Sequence, residues 1–394
     1  MKIYADNAAT TAMSPGALEA MVECLRKEYG NPSSLHSVGQ RAAERLREAR
    51  EIFARYLNAR PEEIYFTSGG SEADNQAILS AAALGARQGK RHIISTKFEH
   101  HAVLHTLEKL EKQGFTVTLL DIPTDGVVTA EQVRAAIRPD TCLVTVMFAN
   151  NEIGTIQPIA EIGRVCREAG VVFHTDAVQA AGHLAIDVEA MNIRMLSLSA
   201  HKFHGPKGVG VLFARRVPLV NVIEGGAQER GKRGGTENLP GIWAAAVAFR
   251  EACEGMAADG EKVSVLRDRL LDGLSAIPHT AVNGCRDRRL PGNVSLCFEG
   301  IEGESLLLLL DNKGIAASSG SACTSGSLDP SHVLLALGRP HEVAHGSLRL
   351  SLSAENTAEE VDYILKELPP IVAYLRDISP VWDQLQRGER QHQI

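Results

Sequence analysis

The stretch Ser197-Leu198-Ser199-Ala200-His201-Lys202-Phe203-His204-Gly205-Pro206-Lys207-Gly208 ends a short apolar run that begins at Met195, and a Gly-Pro step then turns the chain. A lysine at the end of a strand is partly desolvated, which lets its amine attack a carbonyl at neutral pH. The neighbouring Ser199 and His201 are suited to hold an anionic group of the same ligand. Most lysines are solvated surface charges, however, so this pattern alone does not decide the function.

The chain around this stretch alternates strand-like and helical segments. Runs rich in β-branched and apolar residues predict strands at 64–67, 92–96, 116–120, 142–148, 171–175, 195–199 and 209–213. Helical stretches lie between most of them, and Thr129 with Gln132 forms a capping box at the start of one. Two more helices are predicted over 15–29, after the N-cap Ser14, and over 38–57. This alternation predicts an α/β fold whose mostly parallel sheet is covered by helices on both faces.

The pattern changes at about residue 255. Helices are predicted over 261–274, 305–313 and 358–375, and strands over 293–298 and 347–352. Runs of this kind suit a smaller α+β domain beside the larger one. We therefore expect a large ligand-binding domain over 15–254 and a small domain formed by 1–14 together with 255–394.

Composition narrows the class of function. The 394 residues are 44% hydrophobic and 23% charged, as in a globular protein long enough for two hydrophobic cores. The net charge is −7 and no run of basic residues occurs, so nucleic acid is not expected as a partner. Lys2-Ile3-Tyr4 follows Met1 without an apolar leader, and no apolar run approaches membrane-spanning length. We expect a cytoplasmic protein that acts on small metabolites and has no membrane partner.

In a parallel sheet, ligands bind at the carboxyl ends of the strands, so the residues that follow each strand share one rim. The residues at this rim are Ser68-Gly69-Gly70-Ser71, Glu99-His100, Asn150-Asn151, Asp176 with Gln179, and His201-Lys202. Pyridoxal phosphate needs such a set: a lysine for its aldehyde, a carboxylate for its ring nitrogen, and amides and hydroxyls for its phosphate. Taken singly, each group also has an ordinary interpretation, namely a turn for Gly69-Gly70, a helix N-cap for Asp176 and a core histidine for His100.

The seven cysteines are odd in number and form no Cys-x-x-Cys pair, so neither a disulfide framework nor a zinc site is expected from them. Most lie in apolar surroundings and are expected to be inert. Cys323 differs, because the Gly- and Ser-rich segment 316–328 around it predicts an exposed, mobile thiol. His101 and His105 have i, i+4 spacing, but no glutamate follows His101 and no third ligand is evident, so no metal site is expected.

Seven motifs carry a resemblance to a known family. They are Asp6-Asn7-Ala8-Ala9-Thr10-Thr11, Gly30-Asn31-Pro32-Ser33-Ser34-Leu35-His36, Ser68-Gly69-Gly70-Ser71-Glu72, Glu99-His100-His101-Ala102-Val103, Asn150-Asn151-Glu152-Ile153-Gly154, His174-Thr175-Asp176-Ala177-Val178-Gln179 and Ser199-Ala200-His201-Lys202. With these motifs the chain resembles the cysteine desulfurases, which belong to the class V aminotransferase group with the type I pyridoxal-phosphate fold. The segment around Cys323, including Gly326, is most similar to the nitrogen-fixation type. The resemblance covers nearly the whole chain except the polar tail after Trp382.

The resemblance implies a role for each matching residue. Lys202 would bond to the cofactor, Asp176 would pair with its ring nitrogen, and Gln179 would donate to its phenolic oxygen. His100 would stack on the ring and move protons, and Asn151 would contact both the ring oxygen and the substrate. The residues assigned to the phosphate are Ser71, Ser199 and His201, together with Thr236 of the neighbouring subunit, which implies a homodimer.

Two further segments have one interpretation from the residues and another from the resemblance. Arg349 lies in an otherwise apolar strand, where a guanidinium is costly unless an anion pairs with it. The residues alone also allow an outward-facing arginine, whereas the resemblance makes Arg349 the clamp for the substrate α-carboxylate. The residues alone favour a flexible basic loop over 230–235, whereas the resemblance makes it the segment that carries Thr236 to the neighbouring subunit.

The activity implied is that of an L-cysteine desulfurase, a sulfurtransferase. Lys202 would take the Cα proton, and the Cys323 thiolate would attack the substrate sulfur, leaving a persulfide on Cys323 and free alanine. An iron–sulfur scaffold or another acceptor protein would then receive the sulfur for cluster assembly, with transient contact between Cys323 and the cluster. The alternatives are a selenocysteine lyase or a small-molecule aminotransferase of the same fold and, outside catalysis, a sulfur carrier or scaffold.

Overall fold

A computed structural model of the chain describes residues 1–319 and 329–394. Its strands are β1 Ile3–Tyr4, β2 Ile64–Thr67, β3 His92–Thr96, β4 Thr116–Leu120, β5 Thr141–Thr145, β6 Val172–Asp176, β7 Met195–Ser199, β8 Gly210–Ala214, β9 Thr280–Val282, β10 Asn293–Phe298, β11 Ile315–Ala316 and β12 Ser347–Ser351. Its α-helices are α1 Pro15–Lys27, α2 Ser37–Leu57, α3 Gly70–Arg87, α4 His101–Glu111, α5 Ala130–Ala136, α6 Ile159–Glu168, α7 Gln228–Gly231, α8 Leu239–Ser275, α9 Gly303–Asn312, α10 His332–Ala336, α11 His341–His345, α12 Ala358–Asp377 and α13 Pro380–Gln386. Short 3₁₀ turns lie at Pro61–Glu63 and Ala200–Lys202.

The central sheet has the strand order β2-β8-β7-β6-β5-β3-β4. The strands from β7 to β4 in this order pair in parallel, whereas β8 runs antiparallel to both of its neighbours. The predicted mostly parallel sheet is therefore confirmed. The exception at β8 has a physical cause, because only residues 200–209 separate it from β7, and a parallel return needs a crossover of about a dozen residues or more.

Apart from its edge strand β4, the central sheet is buried on both faces. Ile93 and Ile94 of β3 are both fully buried, and as successive strand residues they face opposite sides. Ile93 packs with the apolar residues of α3 and α4, whereas Ile94 packs in the core that includes residues of α1, α2, α6 and α8. The strands consequently read as nearly continuous apolar runs, which is the pattern that the sequence displayed.

The helices begin where the sequence places capping side chains. Ser14 accepts a hydrogen bond from the backbone of Ala17 at the start of α1. The predicted capping box of α5 is present, since Thr129 Oγ1 accepts the Gln132 amide at 3.2 Å and Gln132 Oε1 accepts the Thr129 amide at 2.9 Å. Within residues 1–319 and 329–394, no helix combines the length and the apolar character that crossing a bilayer requires.

A second core forms around the smaller sheet, whose strand order is β12-β10-β9. Residues of α9, α12 and the second half of α8 pack against this sheet. The N-terminal strand β1 pairs in parallel with β11, so Ile3 and Ala5 are buried in the same core. The first residues of the chain thus lie next to the strands of its last third.

Helix α8 runs through the predicted domain boundary at residue 254. The sequence analysis predicted only its second half, over 261–274, because Gly255 and Gly260 interrupt the helical pattern there. The helix is continuous over 37 residues and has buried positions in both cores. The division into domains at 254 stays a prediction.

Candidate active site

A cavity of about 320 Å³ lies at the carboxyl ends of parallel strands of the central sheet. This volume lies within the range that is typical of small-molecule sites. Nine of the residues named from the sequence line it, although no motif adjoins another along the chain: Ser71, His100, Asn151, Asp176, Gln179, Ser199, His201, Lys202 and Arg349. The expectation that the strand ends share one rim is met by eight of these side chains, and Arg349 joins them from the smaller sheet.

Lys202 enters the cavity from the 3₁₀ turn that follows β7. Its Nζ donates hydrogen bonds to the backbone oxygens of Ala8 at 2.6 Å and Ala9 at 2.8 Å. Gln179 Nε2 donates to the same Ala8 oxygen at 3.0 Å. The N-terminal segment therefore holds the amine in a defined position, through carbonyl groups that the sequence analysis did not identify.

Asp176 ends β6 and is buried in the same cavity. Its Oδ1 accepts the backbone N–H of Val178 at 2.9 Å. Burial raises the pKa of Asp176 to about 6, although the Val178 amide and the charge of Lys202 both act to lower it. A carboxylate in this state gains stability when a cationic group of a ligand comes beside it.

Two further acids, Asp74 and Glu99, are buried near Asp176. Burial, with the charge of Asp176, raises the pKa of Asp74 well above its usual value, and burial raises the pKa of Glu99 to about 8. Within the described chain, Asp74 Oδ1 and Glu99 Oε2 are buried without a hydrogen-bond partner. Burial therefore disfavours the charged form of both carboxyls.

His100 is the N-cap residue of α4. Its Nδ1 accepts the backbone N–H of Ala102 at 3.1 Å, which leaves the proton of the neutral ring on Nε2. Burial, the charge of Lys202 and the nearby histidines lower the pKa of His100 to about 4. The imidazole is therefore neutral at physiological pH.

The start of α3 forms one wall of the cavity. A Cβ atom on Gly70 would lie 2.8 Å from Val178 Cγ2 and 3.4 Å from Ser199 Cβ, so this close approach requires glycine. Ser71 lies in the first turn, where free N–H groups and the helix dipole favour an anion. Glycine, hydroxyl groups and a helix start are together suited to a phosphate.

His201 lies at the same end of the cavity. Its Nδ1 is 3.1 Å from Thr10 Oγ1. Burial and the charge of Lys202 lower the pKa of His201 to about 4, so this ring is also neutral. A neutral imidazole can donate one hydrogen bond to an anion without needing a carboxylate partner.

Arg349 in β12 closes the side of the cavity that the smaller sheet provides. Its side chain is only 2% exposed, and Nη2 pairs with Asp6 Oδ1 at 2.9 Å. Nη1 donates to the backbone oxygen of Asn151 at 3.1 Å, while Nε is buried without a partner among the described residues. The buried guanidinium does have an anionic partner, as its setting in the sequence required, and that partner is Asp6.

One of the predicted residues does not line the cavity, and another is not among the described residues. Thr236 is exposed in the loop before α8 and does not line the cavity. Cys323 lies outside the described residues. The chain leading towards it passes the cavity, because Ser318 exchanges backbone hydrogen bonds with Arg349, with N···O distances of 2.6 and 3.2 Å.

The other six cysteines are free thiols, and none of them lines the cavity. Burial raises the pKa of Cys142 and Cys297 to about 11. Burial also raises the pKa of Cys24, Cys166 and Cys253 to about 12. These five thiols are protonated at neutral pH and are poor nucleophiles.

A larger cavity of about 740 Å³ lies at the opposite edge of the central sheet, near the start of β6 and β7. Five arginines line it: Arg60, Arg167, Arg194, Arg215 and Arg216. It has no lysine and none of the residues named from the sequence. Size alone would therefore select the wrong cavity, whereas the chemistry of the lining residues selects the smaller one.

The histidine pair His101 and His105 stacks on α4, with ring centroids 5.0 Å apart. His332 of α10 adds a third ring, 4.6 Å from that of His101. His332 Nε2 lies 3.0 Å from the backbone oxygen of Glu99. The sequence analysis did not find this third imidazole, because it comes from a distant part of the chain.

The sequence analysis placed Glu99 at the rim without giving it a role, and it missed Asp6 and Asp74 as parts of the site, although a quoted motif contains Asp6. A local signal existed for Asp74, because it follows Ser71 by three positions and so lies on the same face of α3. No local signal existed for Asp6, whose partner Arg349 lies 343 residues further along the chain.

A sequence profile of the aminotransferase class-V family matches residues 3–364. The chain is 53% identical over 394 residues to the cysteine desulfurase IscS of Clostridium botulinum, with 99% of each chain covered. It is 47% identical to the cysteine desulfurase NifS of Azotobacter vinelandii, with 96% of this chain and 95% of that relative covered. The chain belongs to the class V aminotransferase family, among its cysteine desulfurases.

Solved structures agree with this family. A NifS-like protein superposes with a TM-score of 0.89 at 39% identity, covering 95% of this chain and all of that one. The structure described as SspA in complex with cysteine gives a TM-score of 0.80 at 38% identity, covering 90% of this chain. The predicted family and fold are confirmed. The relatives carry both names, IscS and NifS, so the nitrogen-fixation type stays a prediction.

Pyridoxal phosphate is the cofactor of this family, and the cavity fits it. The amine of Lys202 and the buried carboxyl of Asp176 both line the cavity. The start of α3 at Gly70 provides a cradle that a Cβ atom would fill. These are the groups that the aldehyde, ring nitrogen and phosphate of the cofactor require.

Proposed function

We propose that the chain is a pyridoxal-phosphate-dependent L-cysteine desulfurase, which converts L-cysteine to L-alanine and leaves a persulfide on Cys323 as sulfur for iron–sulfur cluster assembly. The observation that carries the proposal is the single cavity in which Lys202, Asp176 and Arg349 meet. Relatives named cysteine desulfurase at 46–53% identity support it. The likeness to a structure described as bound to cysteine supports the substrate.

Lys202, Asp176 and His100 carry the proton chemistry. The bound cofactor withdraws electrons from the substrate Cα, which makes its proton removable. Lys202 Nζ would hold the aldehyde of the cofactor and, as a free amine, would take the Cα proton of the substrate. Asp176 would keep a proton on the pyridine nitrogen, because an adjacent cation offsets the cost of burying the carboxylate. His100 would lie against the ring and move protons through Nε2.

Polar groups around the ring fix its position. Gln179 and Asn151 would donate to the phenolic oxygen, and Asn151 would also contact the substrate. Ser71, Ser199 and His201 would bind the phosphate together with the free amides of α3. The geometry of these groups about one cavity supports the assignment.

Arg349 binds the substrate α-carboxylate. Its Nε is the guanidinium donor without a partner among the described residues, so it has capacity for a second anion besides Asp6. A charge-assisted pair of this kind orients an amino acid by its carboxylate. The substrate carboxylate then either shares the guanidinium with Asp6 or displaces Asp6 from it.

Cys323 accepts the sulfur. Its thiolate attacks the substrate sulfur, the carbon–sulfur bond breaks, and a sulfur–sulfur bond forms on Cys323. The electron pair of the broken bond remains on the substrate carbon, which takes up protons and leaves as alanine. The hydrogen-bonded approach of Ser318 to Arg349 supports this role, because Cys323 follows only five positions later in the chain.

Turnover with L-cysteine as the only substrate tests the proposal. In the presence of a reductant, we expect alanine and sulfide in equal amounts, with no keto acid consumed. Borohydride reduction followed by peptide mapping should place the pyridoxyl group on Lys202. A requirement for a keto acid would instead identify an aminotransferase. A preference for selenocysteine with little cysteine activity would identify a selenocysteine lyase, and a protein that binds no cofactor would identify a sulfur carrier or scaffold.

We further infer a cytoplasmic homodimer in which Thr236 completes the phosphate site of the neighbouring subunit. Mixed dimers test this arrangement. A dimer of Lys202→Ala and Thr236→Ala subunits keeps Thr236 opposite the intact lysine, so that site should bind cofactor with normal affinity. A dimer of the double variant with the wild type has one intact Lys202 but no Thr236 in the subunit opposite it, so its affinity for the cofactor should fall. Equal affinities in the two mixed dimers would contradict the inference.

The sulfur acceptor is an iron–sulfur scaffold or another protein with a reactive thiol. Persulfide on Cys323 is transferred by thiol exchange, with transient contact between Cys323 and the growing cluster. Incubation of the ³⁵S-labelled enzyme with a candidate scaffold should move label to the scaffold only when Cys323 is present. Label that moves equally well from a Cys323→Ser variant would rule out this route.

A further inference from the structure

The C-terminal segment 380–394, called here the tail, folds back on the smaller sheet. The ring of Trp382 in α13 lies 5.4 Å from that of His279 and 5.7 Å from that of His392, as centroid distances. None of these three residues lines the cavity of the candidate active site. The tail nevertheless brings a titratable side chain to a defined position beside the turn that precedes β9.

Three potential metal ligands meet at this position. Ligand atoms of His279, Glu299 and His392 all lie within 4.8 Å of one another. Glu299 Oε2 is 2.7 Å from His392 Nδ1 and 3.5 Å from His279 Nδ1. Zinc bonds of about 2.0–2.2 Å place the ligand atoms of a tetrahedral site roughly 3.3–3.6 Å apart. Both distances from Glu299 Oε2 are near this spacing. The two rings stack with 20° between their planes, so one imidazole has to rotate about its Cβ–Cγ bond before both in-plane lone pairs point at one ion.

Glu299 is held with one oxygen directed to the two imidazoles. The residue is 4% exposed, and its Oε1 accepts the backbone N–H of Gln393 at 2.7 Å. Its Oε2 faces His279 and His392, and within the described chain no lysine or arginine pairs with this carboxylate. The backbone oxygen of Ile394 lies 3.0 Å from His279 Nδ1 and offers a fourth ligand atom.

The backbone around the cluster is arranged for this geometry. His279 has φ of 54°, a left-handed conformation that non-glycine residues adopt rarely and that is found often at functional sites. The buried Arg376 donates to the backbone oxygens of His279 and Glu299, both at 3.0 Å. Its charge lies against these carbonyl groups and over the ring of Trp382 at 4.2 Å, so Arg376 positions the two ligand residues and also interacts with the charge of Glu299.

We propose that His279, Glu299 and His392 bind a divalent transition-metal ion of the zinc class, which fastens the tail to the smaller sheet. Two imidazoles with one carboxylate suit zinc, whereas magnesium and calcium prefer all-oxygen sites. The cluster has no thiolate, which argues against copper(I) or an iron–sulfur cluster. The two rings stack with centroids 3.7 Å apart and are each about one-third exposed, which leaves a path for the ion.

Zinc titration of the holoenzyme tests the site. Calorimetry should show one zinc ion per chain with a dissociation constant in the micromolar range or below. His392→Ala removes a ligand from the tail without altering a core, and it should weaken zinc binding by roughly 100-fold, since even indirect partners of metal ligands are worth 10–100-fold. Cysteine turnover should be unchanged by this variant. Zinc should also slow tryptic cleavage of the wild-type tail after Arg387 and Arg390.

Two controls separate this cluster from other zinc ligands. His341→Ala with His345→Ala removes an exposed and a half-buried histidine of α11, with ring centroids 4.6 Å apart, and should leave the titration unchanged. Cys323→Ser removes the proposed reactive thiol and should also leave it unchanged. If either control abolished zinc binding, or if His392→Ala bound zinc as tightly as the wild type, the ion would bind elsewhere and the proposal would be wrong. Wild-type protein that bound no zinc would show that the cluster is only an imidazole–carboxylate pair.

Discussion

Replacement of Asp176 by asparagine should stabilise the cofactor-free protein while weakening its hold on the cofactor. Burial raises the pKa of Asp176 from 3.8 to about 6. At about 1.36 kcal/mol for each pKa unit, the buried carboxylate costs about 3 kcal/mol once it is ionised in both the folded and unfolded chains. Asparagine has a similar size, retains an oxygen for the Val178 amide and carries no charge. The cost therefore disappears in Asp176→Asn.

The pH dependence of this effect follows from the sign of the shift. The pKa of Asp176 is higher in the folded than in the unfolded chain. Below about pH 4 the carboxyl is protonated in both states and costs the wild type no stability. As the pH rises through about 6, the wild type loses about 3 kcal/mol of folding stability. Relative to the wild type, Asp176→Asn should be more stable by about 1 kcal/mol at pH 4.5 and about 3 kcal/mol at pH 8.

Urea denaturation of the two apoproteins at these pH values measures the difference. Asp377→Asn, at the exposed end of α12, is the matched control and should change stability equally little at both pH values. In the same preparations, Asp176→Asn should bind pyridoxal phosphate less tightly, because the pyridine nitrogen loses its anionic partner. An apoprotein variant that gained no stability between pH 4.5 and 8 would refute the argument from burial.

The remaining predictions concern the substrate clamp, the thiol and the phosphate cradle. Arg349→Ala should weaken L-cysteine binding by about 1.5–3 kcal/mol, roughly 10- to 150-fold in a spectroscopic titration, and should spare cofactor binding, with Arg349→Lys intermediate. Cys323→Ser should keep the yellow cofactor but release no alanine or sulfide above background. Mass spectrometry of the wild type after one turnover should find one added sulfur on Cys323, and sulfur on another cysteine would contradict the mechanism. Gly70→Ala should lose cofactor affinity, since its Cβ would meet Val178 at 2.8 Å. Gly69→Ala is the control and should bind cofactor as the wild type does, because Gly69 has an extended φ of 164° and no atom lies within 4 Å of the added Cβ. Equal cofactor affinities of the two variants would show that the cradle is not occupied.

Much of the fold was predictable because its signals are local. Strand-helix alternation requires only that apolar runs of a few residues recur between amphipathic stretches. Six of the seven central strands differ from prediction by no more than one residue at either end, and β2, β3, β4 and β7 match at both. The strand predicted over 142–148 ends at Thr145, because an apolar run does not reveal where pairing with a neighbour stops. Gly255 and Gly260 interrupt the helical pattern of the sequence, so the first half of α8 was not predicted. The helix tolerates them because it is stabilised by packing along most of its length.

The sequence by itself determined which residues lie at one rim, because chain direction and the two-residue period of a strand fix where each parallel strand ends. Lys202, Asp176 and His100 follow three such strands, and their meeting needs no knowledge of the rest of the molecule. Only the tertiary structure decided what surrounds them. Distant segments had to pack together before Asp6 could pair with Arg349, or before His279, Glu299 and His392 could meet. That packing is set by side-chain contacts summed over whole surfaces, for which no short stretch of sequence carries a signal.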